Sequence, residues 1–340
     1  MGLFSFKQDL AVDLGTANTI IMKDGEIVLD EPSVVAFDTR TNEVLAVGRQ
    51  AREMYEKGHA FIRTIRPLRD GVIADFNAAE QMLRGMIKSI TRKSSRLFVP
   101  SLKIVVCIPS GSTEVETRAV HDSSEQAGGK DVYMIYEPMA AAIGIGVDVL
   151  APEGNMVVDI GGGTTEIAVI SYGGIATKQS IRIAGDELTN DIMEHMRRMH
   201  NVRIGERTAE QIKISVGSAL KELDIEPEPF TVTGADQMDT LPRQIEVNYV
   251  EIANCLDKSI AKIENAILKT LEETPPELYG DVVQNGIYLT GGGALLRGLD
   301  KRLTERFNIN FIVPEDPLHA VAKGTMVALK NTDNFNFLIR

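Results

Sequence analysis

The chain has little of what secreted, metal-binding or membrane-spanning proteins use. Its 340 residues include no tryptophan, only 5% aromatic residues, five scattered histidines, and two cysteines, Cys107 and Cys255, and we expect no metal-ligand cluster. One cysteine lies in an apolar run and the other in a helical pattern, which predicts buried free thiols and no disulfide framework. No apolar run reaches the roughly 18 residues of a membrane helix, and no signal peptide is visible, so we expect a cytosolic protein.

The chain also lacks an excess of positive charge. Its formal net charge is −12, which argues against nucleic acid as a main partner. With 44% hydrophobic and 25% charged residues the composition is that of an ordinary soluble protein. The length is too great for one small core and favours two domains.

One short pattern occurs twice in the chain. In each copy an apolar strand ends in an aspartate, Asp13 or Asp159, and a loop of small residues follows at once. Each loop leads into a further β-like run with a tight turn, at Asp24-Gly25 or Gly173-Gly174, which predicts two β-hairpins. The loop residues are Gly15, Thr16, Ala17 and Asn18 in the first copy, and Gly161, Gly162, Gly163 and Thr164 in the second.

Such loops have the chemistry of a phosphate site. Glycine exposes backbone N–H groups and allows phosphate oxygens to approach closely, and threonine hydroxyls add donors. Asp13 and Asp159 would repel a bare phosphate, but they suit a site where Mg²⁺ lies between them and the phosphates, usually through water. Each copy alone could be an ordinary hairpin with an aspartate at the strand end, but the repetition favours a polyphosphate held between two domains.

A third glycine-rich loop follows another apolar strand. It comprises Thr290, Gly291, Gly292, Gly293 and Ala294. We expect it to begin a helix that runs to about Phe307. The backbone at a helix N-terminus favours anions, so this loop is a candidate nucleotide contact. The loop has no acidic residue, so we expect it on the nucleoside or α-phosphate side and not at the metal.

These loops, with the segment Tyr136–Ala142 (YEPMAAA), resemble the motifs of the actin, sugar kinase and heat-shock chaperone ATPase superfamily. The match is closest to the MreB family of bacterial actin homologues, and the resemblance runs from about Asp9 to Lys330. It implies ATP and Mg²⁺ as ligands and an actin-like ATPase fold of the α/β class. In that fold two ribonuclease-H-like domains surround a nucleotide cleft, and each carries a smaller inserted subdomain.

The expected domains follow from this resemblance. Domain I covers 1–145, with an insertion at about 31–74, and is completed by a C-terminal segment at about 322–340. Domain II covers 146–321, with an insertion at about 184–247. Alternation of strands and helices agrees with α/β halves, with helices predicted near 75–91, 114–126, 187–199, 209–223 and 250–273.

Glu137 is the expected catalytic residue. It follows an apolar strand and precedes Pro138, which suits the first turn of a helix. A carboxylate there could orient or deprotonate the water that attacks the γ-phosphate, or it could simply be an acid favoured by the helix dipole. The resemblance favours the catalytic role and implies that Thr164 helps to orient the water.

Nucleoside recognition is expected from the segment that comprises Glu210, Gln211, Ile212 and Lys213. The acid and the lysine share one helix face at i, i+3, so a surface ion pair is the alternative interpretation. The choice of adenine over guanine comes from the resemblance alone.

A membrane contact is expected near Leu97 and Phe98. No acidic residue occurs between Glu80 and Glu114, and six basic residues lie in that window. The resemblance implies that the two apolar residues insert into an anionic membrane; otherwise they fold back into the core. Leu3, Phe4 and Phe6 are second candidates, with a strand extension or a frayed tail as the alternative.

The resemblance implies a polymerising ATPase that forms homopolymeric filaments on the inner face of the cytoplasmic membrane. Such a protein positions cell-wall synthesis and sets rod shape, with morphogenetic membrane proteins and wall synthases as partners. A small-molecule kinase, a chaperone-like ATPase and a non-hydrolysing scaffold are the alternatives. We expect no chaperone function, because the chain has no room for a substrate-binding region after the ATPase part.

Overall fold

The structure is a computed structural model that describes residues 7–55, 57, 60–91 and 101–340. Two large sheets of equal size dominate this part of the chain, and smaller sheets accompany each of them. The apolar residues that we expected at a membrane lie outside the described residues: Leu3, Phe4, Phe6, Leu97 and Phe98.

The described strands and helices alternate along the chain. The strands are β1 (Lys7–Leu14), β2 (Asn18–Lys23), β3 (Glu26–Pro32), β4 (Val35–Asp38), β5 (Val44–Val47), β6 (Ile62–Ile65), β7 (Leu68–Arg69), β8 (Val72–Ile73), β9 (Ser101–Ile108), β10 (Gly129–Tyr136), β11 (Asn155–Ile160), β12 (Thr165–Ser171), β13 (Gly174–Ile181), β14 (Val202–Arg203), β15 (Phe230–Asp236), β16 (Pro242–Val247), β17 (Ile287–Thr290) and β18 (Phe311–Ile312). The helices are α1 (Arg49–Tyr55), α2 (Phe76–Thr91), α3 (Glu114–Gln126), α4 (Glu137–Gly144), α5 (Gly185–His200), α6 (Glu206–Val216), α7 (Tyr249–Glu273), α8 (Pro276–Asn285), α9 (Leu299–Phe307) and α10 (Ala320–Lys330).

The two large sheets have the same topology. The first has the strand order β10-β9-β1-β2-β3 and the second the order β18-β17-β11-β12-β13. In each sheet three consecutive strands form an antiparallel meander, and the two remaining strands run parallel to its first strand. The sequence repeat therefore corresponds to a structural repeat, and the predicted α/β actin-like fold is confirmed.

The halves share a core between the two sheets. Helices α4 and α10 cross there with their backbones in contact: a Cβ on Gly144 would lie 1.8 Å from the carbonyl oxygen of Ala320, and a Cβ on Gly324 would lie 1.7 Å from that of Ala140. Only glycine permits such an approach. Helix α10 packs on β1, β2 and β9, which links the end of the chain to the first sheet.

The helices predicted near 75–91, 114–126, 187–199 and 250–273 are confirmed by α2, α3, α5 and α7. The helix expected over 209–223 instead ends at Val216, because Gly217 is extended and the amide of Ala219 bonds to the carbonyl of Arg297. The third loop does not begin a continuous helix: a 3₁₀ turn, Gly292–Leu295, comes first, and α9 starts only after Gly298, whose φ is +71°.

Three smaller expectations need correction. The second hairpin turns at Tyr172 and Gly173, both with positive φ, and not at Gly173-Gly174. Cys107 is a buried free thiol as predicted, but Cys255 is only partly buried. The histidines are not all isolated, because two of them approach the same glutamate on a neighbouring helix.

Candidate nucleotide site

The two repeated aspartates lie at corresponding places in the two sheets. Asp13 is near the end of β1, where the thiol of Cys107 on β9 donates a hydrogen bond of 3.1 Å to its Oδ1. Asp159 is near the end of β11, where the hydroxyl of Thr290 donates a bond of 2.9 Å to its Oδ1. Each carboxylate is thus positioned by a side chain from the adjacent parallel strand.

The two hairpin loops contact each other directly. A Cβ on Gly162 would lie 2.7 Å from the Cβ of Ala17, and a Cβ on Gly163 would lie 2.6 Å from the Oγ1 of Thr16. The amide of Gly71 donates a bond of 3.0 Å to the same hydroxyl oxygen. The β7–β8 turn therefore joins the meeting point of the loops, a contact that the sequence did not indicate.

Glu137 begins helix α4 between the two sheets, as the sequence predicted for the start of that helix. Burial raises the pKa of this carboxyl well above its usual range, and the nearby acids Glu166, Asp159 and Asp13 raise it further. Four carboxyl groups therefore interact at the root of the cleft: two near the ends of β1 and β11, one on β12 and one at a helix start.

Glu166 is the best anchored of the four. It is fully buried, and its Oε2 accepts bonds from the backbone and the hydroxyl of Ser110, at 2.9 and 2.5 Å. Its Oε1 accepts a 2.5 Å bond from the hydroxyl of Ser180. Because these donors satisfy both oxygens, we interpret Glu166 as a positioning group between the two halves and not as a proton acceptor.

The electrostatics of the cleft fit a divalent cation. Burial raises the pKa of Asp13 to about 6 and that of Asp159 to about 7, so charge on both is costly without a counter-ion. Carboxylate oxygens are the ligands that Mg²⁺ prefers, often through water. The residues present therefore fit the Mg²⁺ that the resemblance implies, with Asp13 and Asp159 on its side of the site.

The third loop packs against the second aspartate. Gly291 has a φ of +77°, and a Cβ there would lie 2.4 Å from the carbonyl oxygen of Ile160 and 2.9 Å from Oδ1 of Asp159. Gly293 approaches Ile160 equally closely, whereas Gly292 is exposed. Gly291 and Gly293 thus allow the loop to lie close against β11. Gly292, between them, is the glycine of the loop that is exposed to solvent.

The predicted nucleoside segment lies at the edge of the same cleft. Lys213 donates to Oε2 of Glu210 at 2.8 Å, so the ion pair that we considered as the alternative is formed. The ammonium of Lys213 also donates a hydrogen bond to the carbonyl of Gly185. The amide of Gly185 in turn donates to the carbonyl of Gly161 in the second loop. Ile212 is buried in the core of the second half and Gln211 is exposed, so Glu210 and Lys213 are the members of this segment tied to the loop.

An ion-pair bridge crosses the cleft, and no sequence motif indicated it. Arg66, just after β6, donates from Nη1 to Glu206 and from Nη2 to Asp186, both at 2.7 Å. The two acids lie in the first turns of α6 and α5, and the amide of Asp186 also bonds to the carbonyl of Gly162 at 2.8 Å. The bridge therefore connects the residue after β6 to the starts of α5 and α6 and, through Asp186, to the loop at 161–164.

Three of the basic residues beside the expected membrane loop lie in the described part of the chain, and one of them is paired with an acid. Arg84 forms an ion pair with Glu80, and Lys103 donates to Thr332 near the end of the chain. Lys88 is exposed on α2. In the described part of the chain, no helix combines the length and the apolar character needed to cross a membrane.

The duplicated sheets, the paired loops and the cleft with its four acids define an actin-like nucleotide-binding protein. The chain belongs to the MreB/Mbl protein family, whose family model matches residues 7–336. It is 46% identical to the cell shape-determining protein Mbl of Bacillus subtilis over 329 residues, which cover 96% of this chain and 97% of Mbl. It is 45% identical to the cell shape-determining protein MreB of Escherichia coli over 333 residues, 96% of this chain and 95% of that protein.

A solved structure has the same fold. MreB5 of Spiroplasma citri, crystallised with AMPPNP, superposes with a TM-score of 0.89 at 35% identity. The match covers 96% of this chain and 97% of that one. The fold described above is therefore one that holds a nucleotide analogue in a relative.

Proposed function

We propose that this chain is an ATP-dependent, filament-forming bacterial actin that determines cell shape. The observation that carries the proposal is the meeting of two glycine-rich hairpin loops and four carboxylates in one cleft between two copies of the same sheet. The names of the relatives, cell shape-determining proteins, and the AMPPNP bound to MreB5 support it.

In this proposal the loops at 15–18 and 161–164 hold the β- and γ-phosphates through backbone N–H groups and the hydroxyls of Thr16 and Thr164. The third loop, 290–294, and the pair Glu210 and Lys213 hold the nucleoside. Mg²⁺, on the side of Asp13 and Asp159, would neutralise charge on the phosphate oxygens. Protonation of those two carboxyls competes with the cation, because their pKa values lie near neutrality.

Hydrolysis then depends on Glu137. This carboxyl orients the attacking water and accepts its proton, and Thr164 helps to hold the water in line with the γ-phosphate. Burial and the neighbouring acids raise the pKa of Glu137 well above its usual range, and a carboxylate with a raised pKa is a stronger base when it is ionised. No covalent nucleophile is required, and turnover is expected to be slow.

We also propose the domain division expected from the sequence. Domain I spans 1–145 with the C-terminal segment 322–340, and domain II spans 146–321. Their insertions, 31–74 and 184–247, flank the cleft, and Arg66 joins them. Loss of the γ-phosphate would remove contacts to both loops and so loosen the closure and the filament.

Membrane attachment at the inner face of the cytoplasmic membrane completes the proposal. The candidate anchors are Leu97 and Phe98, with Leu3, Phe4 and Phe6 as second candidates. Burial of each side chain in the membrane would contribute roughly 1.5–3 kcal/mol of binding free energy. One molecule would bind weakly after the cost of immobilisation, whereas a filament binds strongly through effective concentration. Morphogenetic membrane proteins and wall synthases would then meet a membrane-bound polymer.

The test is sedimentation of the purified chain together with phosphate release. With ATP and Mg²⁺ we expect the chain to pellet as filaments and to release phosphate, and with EDTA we expect neither. Glu137→Ala should still pellet with ATP while phosphate release falls. A chain that stays monomeric with ATP and Mg²⁺ would contradict the proposal and would favour a small-molecule kinase of the same fold.

A further inference from the structure

Two histidines and a glutamate converge at a place remote from the phosphate loops. His195 and His200 lie on α5, and both direct Nε2 at one oxygen, Oε1 of Glu251, in the first turn of α7. The bond from His195 measures 2.6 Å, and His200 forms the second bond to the same atom. The two Nε2 atoms and the carboxylate oxygen all lie within 4.8 Å of one another.

The backbone holds these side chains in place. The amide of Glu251 donates to the side chain of Asn248, which caps α7, and α5 ends at Asn201 in the left-handed conformation. The imidazole rings stand edge to face with centroids 6.0 Å apart. All three side chains are about one-fifth exposed, which is enough for an ion to enter and enough burial to restrain the rotamers.

The donor chemistry suits a ligand set. Nε2 of each imidazole converges on Oε1 of Glu251, and an imidazole offers Nε2 as a ligand once its proton moves to Nδ1, so the ion would replace the two hydrogen bonds. Two imidazole nitrogens and one carboxylate form a known ligand set of zinc enzymes, in which a water occupies the fourth position.

The surroundings leave room for that fourth ligand. His195, His200 and Glu251 line an open cavity of about 820 Å³, together with Met199, Glu226 and Tyr249. The hydroxyl of Tyr249 donates to Glu226 at 2.9 Å, so the cavity contains a second polar pair beside the three proposed ligands. A water on the metal would thus face solvent and further hydrogen-bonding groups.

We propose that His195, His200 and Glu251 bind one zinc-class divalent cation, with water as the fourth ligand. The ion would tie the end of α5 to the start of α7. These two helix ends bracket the segment 201–248, which contains β14, α6, β15 and β16, so the ion would fix the base of this inserted unit. Mg²⁺ would not compete, because it prefers oxygen ligands and a full octahedral shell.

A second cluster provides the control. His121, Asp122 and Glu125 also lie close together, but all three are on the surface of one helix, α3, and Asp122 and Glu125 are more exposed than any ligand of the proposed site. Because all three residues come from one helix, this cluster does not join two elements as the first cluster joins α5 and α7. We therefore expect His121→Ala to leave zinc binding unchanged.

The experiment uses the full chain, stripped with a chelator and free of nucleotide, in excess Mg²⁺. Calorimetric titration with Zn²⁺ should show one equivalent per chain, and Co²⁺ should give a visible absorption band typical of low-coordinate nitrogen and oxygen ligation. His195→Ala and His200→Ala should each weaken binding at least about tenfold, since even loss of an outer partner of a metal ligand costs about 10–100-fold.

Thermal unfolding guards against misfolded variants. Without zinc, both histidine variants should unfold cooperatively, and zinc should raise the midpoint of the wild type and of His121→Ala but not of His195→Ala or His200→Ala. Absence of a stoichiometric site in the wild type would overturn the proposal. So would a folded His200→Ala variant that binds zinc as tightly as the wild type.

Discussion

The Arg66 bridge permits a quantitative prediction about cleft closure. Arg66 is mostly buried and donates one 2.7 Å bond to each of two acids, Glu206 and Asp186, which are about one-third exposed. Hydrogen bonds to charged groups contribute about 1.5–3 kcal/mol when buried, but solvent screening at partly exposed acids reduces this to at most about 1 kcal/mol each. Burial raises the pKa of Asp186 in spite of Arg66, which shows that desolvation offsets part of the attraction.

Removal of the bridge should therefore shift the balance between closed and open clefts by about 1–2 kcal/mol, a factor of about 5–30. Arg66→Ala should raise the dissociation rate of a fluorescent ATP analogue by this factor, measured by stopped flow with Mg²⁺ present. Arg66→Lys should restore only part of the effect, because a single ammonium does not bridge two acids as a guanidinium does.

Arg69→Ala is the matched control, since Arg69 is exposed in the same segment. It should leave the dissociation rate unchanged. If Arg66→Ala releases nucleotide no faster than this control, the bridge does not stabilise the closed cleft. A large loss of thermal stability in Arg66→Ala would instead indicate a folding role and would also contradict the reasoning.

Further predictions concern the site itself. Glu137→Ala should slow phosphate release by about 100-fold or more with little change in ATP affinity, and wild-type turnover would refute its role. Gly163→Ala should lower ATP affinity about 5–150-fold, because the added methyl group overlaps the first loop at a cost of about 1–3 kcal/mol. Equilibrium titration measures this affinity, and an unchanged value would contradict the prediction. Because the pKa of Asp159 is raised, the folded apo chain binds more protons than the unfolded chain between about pH 4 and 7, so its stability falls as pH rises through that window. Asp159→Asn should therefore raise the melting temperature of the apo chain at pH 8, and it should abolish the stabilisation by Mg²⁺ and ATP. An unaltered melting profile would argue against this assignment. Leu97→Ser with Phe98→Ser should retain pelleting with ATP but lose liposome binding, and retained liposome binding would move the anchor elsewhere.

The repeated part of the fold could be predicted from sequence because its signals are local. An apolar strand, an aspartate and a small-residue loop define each hairpin, and two copies imply two similar sheets. The place of Glu137 at the start of a helix followed equally from the adjacent Pro138. These features depend on residues that are neighbours in the chain, so the local sequence pattern is enough to predict them.

The remaining features depend on contacts between distant residues. Arg66 meets acids that are 120 and 140 positions away, and no motif marks such a pair. The end of α6 is set by the extended Gly217 together with a backbone bond from Ala219 to Arg297, and the second of these contacts joins residues far apart in the chain. His195 and His200 have four residues between them, a spacing that occurs in zinc sites, but only the packing of α7 brings Glu251 to them.

We propose that ATP and Mg²⁺ drive this chain into filaments on a membrane. The most direct measurement is negative-stain imaging and co-sedimentation of the purified chain with anionic liposomes, with ATP and Mg²⁺ or without nucleotide. We expect filaments lying on lipid only when ATP and Mg²⁺ are present. A chain that remains soluble and monomeric in both conditions would contradict it.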